Sequence, residues 1–196
     1  MKALEVTIHG ISPLLMNSNR GVNPLEPLVK QKKILEAKRK RTDDDETEML
    51  HLKFLLAIYH NAKEGVYIPA QNVEAMFRNA AKTMRKGMSA KNTANVKVEP
   101  EYIPLKYTGP KTPEELWADT KFSDVRVGKL KSGASITLCR PRFDSWELTF
   151  RFLFDESKFD REEVIRLLEL AGTDVGLCDY RERYGHFVVQ SVKDTK

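Results

Sequence analysis

AGTDVGLCDYRERYGHFVV, residues 171–189, closes the last helix of the chain, turns, and opens its last strand. The turn carries Gly176, Arg181, Arg183 and Gly185. Glycine lets a backbone take positive φ and approach a partner closely, and arginine adds a permanent charge with donors that fit a phosphate. Two readings of this loop stand side by side. It cradles a phosphate backbone, or it is a turn whose arginines pair with Asp179 and Glu182.

Upstream of the loop, Asp160 and Glu163 make a capping-box-like start, and Val164, Ile165, Leu167, Leu168 and Ala171 form an amphipathic face that Gly172 ends. Before that helix comes the clearest strand, with Trp146, Leu148, Phe150, Phe152 and Phe154 facing one way and Glu147, Thr149 and Arg151 the other. Lys2 to His9 alternates in the same manner, with Leu4, Val6 and Ile8 on the apolar side. Strands with one wet face need helices over the other, which predicts an α+β two-layer sandwich. The order of elements fits a ferredoxin-like (RRM-like) βαββαβ core. Residues 1–196 then form a single domain, with helical and loop material at 65–118 inserted on the core.

Between the first and last strands, Pro27 opens a helix whose thin apolar side is Leu28, Ile34 and Leu35. Thr42 caps a second helix with Asp43, Asp44, Asp45 and Glu46 at the positive end of its dipole and Leu52, Leu55, Leu56 and Tyr59 toward the core. A third runs from about Gln71 to Lys86, burying Val73, Met76, Phe77, Ala80, Ala81 and Met84, and residues 87–95 follow as a mobile loop. Short strands, a helical turn at 113–117 and a hairpin connection at 131–135 lead into Ile136–Arg140.

The chain is 41% hydrophobic and 31% charged, the balance of a globular protein with a core. No apolar run approaches the ~20 residues of a membrane span, and the opening residues read as a strand and not a signal peptide. A cytoplasmic protein away from membranes is expected. Cys139 and Cys178 have no ligand spacing around them, so reduced thiols are expected, with no metal and no cofactor. The net charge is +5, unevenly placed: residues 28–41 carry +6, residues 78–97 another +6, leaving −7 elsewhere. Such segregation is the footprint of a polyanion binder. It singles out Lys38, Arg39, Lys40 and Arg41, then Arg78, Lys82, Arg85 and Lys86; the plainer alternative is two solvated helix faces.

RPRF (140–143) and RERY (181–184) echo each other as Arg-x-Arg-aromatic. Arg140, Arg142, Arg181 and Arg183 are read as phosphate contacts, with pairing to Asp144 and Asp179 as the alternative, whereas Phe143 and Tyr184 are read as packing. His9 and His186 lie where the first and last strands of such a sheet meet, which would suit acid–base cleavage of RNA. Two polar residues on a wet sheet face is the favoured reading of that pair. The acids at 43–46 complement a helix dipole and need no metal.

The C-terminal half resembles the RAMP superfamily, the RRM-like proteins of CRISPR effector complexes, and among them the subunit that polymerises along guide RNA. Gly10–Met16, Arg140–Trp146 and Gly176–Phe187, the last reading G-x-x-D-x-R-x-R-Y-G-x-F, are also similar to a phage and prophage protein family. The resemblance implies binding of single-stranded RNA or DNA without catalysis, with head-to-tail assembly of copies along the strand. Two alternatives accompany it: a metal-independent endoribonuclease of the same fold, and a protein-interaction factor docking on an acidic partner.

Overall fold

The computed structural model describes residues 1–84, 96–129, 132–133 and 135–195. In chain order its elements are β1 (Lys2–Gly10), β2 (Leu14–Leu15), α1 (Pro27–Glu36), α2 (Asp43–Ala57), β3 (His60–Asn61), β4 (Gly65–Pro69), α3 (Ala70–Met84), β5 (Lys97–Glu99), β6 (Tyr102–Pro104), α4 (Pro113–Ala118), β7 (Ser123–Lys129), β8 (Ser135–Phe143), β9 (Glu147–Phe154), α5 (Arg161–Leu170) and β10 (Phe187–Thr195). Helices and antiparallel sheets together place the chain in the α+β class. They divide into two compact units, the first made of residues 1–14, 61–108 and 144–196 and the second of 15–60 and 109–143.

The first unit is built on a four-stranded sheet of order β10-β1-β9-β5, with each described pairing antiparallel. Its register follows from the side-chain period of two. Leu4, Val6 and Ile8 stand opposite Phe152, Phe150 and Leu148, and all six are buried. Phe77 of α3 packs on Phe152 at 4.8 Å between ring centroids, and on Phe159, just before α5, at 5.8 Å. Each such ring removed from water contributes roughly 1.5–3 kcal/mol.

The sheet's other face holds polar partners in register. Thr7 and Thr149 share a hydrogen bond of 3.0 Å, Arg151 reaches Glu99 and Lys193 reaches Glu5. That face is ion-paired, and among the described residues it carries no aromatic platform of the kind an RRM stacks bases on. Beside the sheet, β4 pairs with β6.

Residues 65–118, expected as inserted material, contribute α3 and β5 to this unit, and β5 is hydrogen-bonded to β9. Gly172 does not end the last helix as expected. The chain continues as a wide π turn, Ala171–Val175, and Gly176 at φ +74° caps it, its N–H donating to the Ala171 carbonyl. Gly172 serves packing instead: a Cβ there would collide with the Phe187 carbonyl oxygen.

In the second unit α2 lies on the β7–β8 hairpin. Thr42 caps α2 as expected, and the Asp45 side chain accepts in return from the Thr42 N–H; Met49, Leu52, Phe54 and Leu56 are buried. Trp117 of α4 stacks on His51 at 5.2 Å and tilts against Phe54. Ile34, expected on the buried side of α1, is 67% exposed, because only Val29 of that helix is buried. Met84, at the end of α3, is likewise partly exposed.

Candidate nucleic-acid interface

The loop 176–185 is held by its own backbone. Leu177 N–H donates to the Gly185 carbonyl at 2.9 Å, and Gly185 N–H to that of Pro13 at 2.8 Å. Gly185 sits at φ +73°, and a Cβ on it would collide with the Leu177 carbonyl oxygen. Cys178 and Tyr180 also have positive φ. The two sequence motifs at 10–16 and 176–187 meet here. Trp146 donates its indole N–H to the Ser12 carbonyl at 2.8 Å, and Ser12 Oγ accepts from His186 N–H at 2.9 Å. The glycines thus secure a clasp between the first turn and the last loop.

Arg181 and Arg183 are exposed on that loop. Arg181 shares a shallow groove with Asp174, Glu182, Asn79 and Thr83, so two carboxylates stand by one guanidinium. Those surroundings disfavour a phosphate. Tyr184 is buried, as its sequence context implies, while Tyr180 is 49% exposed beside the arginines. Sequence reasoning missed Tyr180, since its aromatic signal was attached to the Arg-x-Arg-aromatic pattern and not to the residue before it.

Arg140 and Arg142 belong to a different unit, on β8. Arg140 stands opposite Asp124 in the β7–β8 register. Period-two alternation puts Arg142, two residues on, and Arg126, two residues after Asp124, on the same face. Asp124 is 7% exposed and pairs with Arg126 at 2.6 Å and with Arg142 at 3.6 Å. Arg142 thus reaches across the hairpin to Asp124. Three half-exposed guanidinium groups therefore share one face of the hairpin with the buried carboxylate of Asp124. Arg126 was missed because it lies on the facing strand β7, outside both Arg-x-Arg-aromatic stretches. Phe143 is buried against Phe122.

The charge of the whole chain follows the same division. The second unit holds 16 Lys and Arg against 11 Asp and Glu, and the first 17 against 17, so all of the net +5 falls on the second. The basic run before α2 is less cationic in space than in sequence. Lys38 pairs with Asp45, and Arg41 with Glu46; Asp45 is held below its usual range chiefly by its bond to Lys38. Arg39 and Lys40 are exposed between them. On α3, Arg78 leans on Glu74 at 3.8 Å and Lys82 is exposed. Arg85 and Lys86, with the loop 87–95, lie outside the described residues.

His9 is exposed on β1 opposite Val188 and Glu147, whereas the His186 ring is engaged with the Gly172 carbonyl at 3.1 Å. The two imidazoles have separate surroundings. His9→Ala should change stability by less than about 0.5 kcal/mol, as for an ordinary surface site. His186→Ala should cost about 1 kcal/mol for its lost hydrogen bond. Neither should alter oligonucleotide binding, and wild type incubated with RNA in chelator should leave it intact. Cleavage abolished by either substitution would establish the pair as an acid and a base.

The two thiols are poor nucleophiles. Burial pushes Cys139 up to about 11 and Cys178 up to about 12, and Asn72 donates to Cys178 Sγ at 3.6 Å. Among the described residues no group of three His, Cys, Asp or Glu side chains is placed to hold a metal ion, and no described helix is long and apolar enough to cross a membrane.

No protein-family model and no curated protein matches the chain. Among solved structures it matches a chain of the cryo-EM structure of a Type III-B Cmr-beta complex bound to cognate target RNA. The match has a TM-score of 0.49 and 10% sequence identity, and it covers all of this chain and 61% of that one. This chain thus spans about three fifths of the length of that chain.

Proposed function

We propose that this protein is a RAMP-like, non-enzymatic binder of single-stranded nucleic acid, and that it meets the phosphate backbone with the β7–β8 hairpin of its second unit. The observation that carries the reading is the hairpin face, where Arg126, Arg140 and Arg142 stand together on the unit that holds the entire net charge. Arginines bind phosphate through paired donors, and net positive charge draws a polyanion to that surface. Arg181, Arg183 and the half-exposed Tyr180 offer a smaller second contact, weakened by Asp174 and Glu182.

The path β1-α3-β5-β9-α5-β10 supports a ferredoxin-like core. Its strands stand fourth, first, third, second across the sheet, and both helices belong to the same unit. On this reading the addition to the core is the second unit, residues 15–60 and 109–143, and not 65–118.

Titration with matched RNA and DNA oligomers, single- and double-stranded, tests the function. Single strands should bind with little sequence preference. The log–log salt slope should be about −0.7 for each phosphate contacted, and scattering mass should grow with strand length as copies add head to tail. Binding that is absent at low salt, or insensitive to salt, would sink the proposal and favour docking on an acidic protein.

A further inference from the structure

A cavity of about 170 Å³ lies within the second unit, floored by Leu56 and walled by α1, α2 and the edge of β8. Lys32, Lys53 and Arg140 line it together with Ser18 and Thr137, and none of its described lining residues is acidic. We infer that this cavity is a phosphate-binding pocket, in which the ammonium of Lys53 and the cations of Lys32 and Arg140 hold one phosphate group.

The backbone prepares the site. Met16 N–H donates to the Pro141 carbonyl, and Lys53 Nζ donates to the Thr137 carbonyl at 2.8 Å. Both carbonyls therefore point away from β7. By the same alternation the N–H and the carbonyl of Cys139, between them, both lie on the edge of β8 that lines the cavity. Lys53 carries three donors and gives one to Thr137, which leaves two for a ligand. Burial holds its ammonium below the usual lysine range, and nearby Lys32 pushes it the same way, while Glu36 and Glu46 act in the opposite sense. Glu36 is drawn to Lys32 at 3.5 Å and Glu46 to Arg41, and neither lines the cavity.

Phosphate matches this set better than a carboxylate does. Its charge approaches −2 as a monoester at neutral pH, and its oxygens can take the guanidinium fork and both ammonium groups at once. The volume admits one such group with some of its waters. The phosphate can be free, or it can be the terminal monoester of a strand. The second source rests on the nucleic-acid reading above, and occupancy by phosphate itself does not.

The experiment is an amide-resonance titration of the full chain with inorganic phosphate, paired with anisotropy using oligonucleotides ending in a 5′-phosphate, a 3′-phosphate or hydroxyls only. Phosphate should shift the amides of Ser18, Lys53 and Thr137, and Lys53→Gln and Lys32→Gln should each weaken it at least about tenfold. Lys32 is only partly buried, so its variant tests the site even where Lys53→Gln fails to fold. A strand end as the source predicts at least about fivefold tighter binding of one phosphate-ended oligomer, lost in both variants. Equal binding of all three oligomers, with free phosphate still shifting those amides, identifies a small phosphate as the ligand. No shift with phosphate and no preference for a phosphate end overturns the inference, and it does so whether or not oligonucleotides bind elsewhere. Loss of oligonucleotide binding with phosphate shifts retained would instead retire the nucleic-acid reading alone.

Discussion

Glutamine at Arg126, Arg140 and Arg142 together, with asparagine at Asp124, should lower affinity for a single-stranded oligonucleotide by at least about 100-fold. A charge-assisted hydrogen bond contributes about 1.5–3 kcal/mol. Three neighbouring arginines couple and do not add in full, but two full contacts already exceed the roughly 2.7 kcal/mol that 100-fold requires. Asp124 is changed with them because it is buried, and removing its partners alone would strand a charge in the interior at a cost in stability. The salt slope should flatten by about 0.7 for each phosphate the variant no longer neutralises. Arg181→Gln with Arg183→Gln should lose less, since Asp174 and Glu182 already offset that loop. Anisotropy titrations on variants with unchanged melting curves decide the matter. Unaltered affinity in the four-site variant would remove the hairpin from the interface.

Gly185→Val should unfold the first unit before it affects any ligand. The residue is at φ +73° and its missing Cβ is replaced in space by the backbone of Leu177. A β-branched side chain there brings backbone strain of about 1–3 kcal/mol. It also displaces the Leu177 N–H bond to the Gly185 carbonyl and the Gly185 bond to Pro13, which hold the loop to the first turn. The sum should exceed about 4 kcal/mol, a large part of the roughly 5–15 kcal/mol that stabilises a typical domain. Arg181→Ala and Arg183→Ala, on the same loop but exposed, should leave the melting temperature nearly unchanged. A folded Gly185→Val protein with only its oligonucleotide affinity reduced would show that the glycine serves a ligand and not the clasp.

The parts of the fold legible in the sequence were those with a local period. Alternation in β1 and β9 fixed which faces are buried, and the Thr42 and Asp160 caps marked two helix starts. Pairing was not local, so it was harder to read. β5 is three residues long, and nothing in Lys97–Glu99 itself announces that it edges the same sheet as β1. The candidate site shows the same limit. Arg140 and Arg142 were visible as an echo of RERY, yet the carboxylate that organises them sits across the hairpin at Asp124, together with the unrecognised Arg126. Summed charge misled for the run before α2, because the acids that neutralise Lys38 and Arg41 lie just beyond its end, at Asp45 and Glu46.

β1 lies between β10 and β9, and both of those neighbours are made more than 130 residues after it. During synthesis its row of Leu4, Val6 and Ile8 therefore waits without either hydrogen-bonding partner. Ala3 meets Thr195 only after about 190 further residues have been made. Closing so long a loop before any contact rewards it makes the central sheet slow to form. Until then an apolar strand is exposed, the state most open to aggregation and to chaperone capture. Pulse-labelled nascent chains halted before residue 147 should remain protease-sensitive across residues 2–10, and those extended well beyond residue 195 should acquire protection there as one cooperative event.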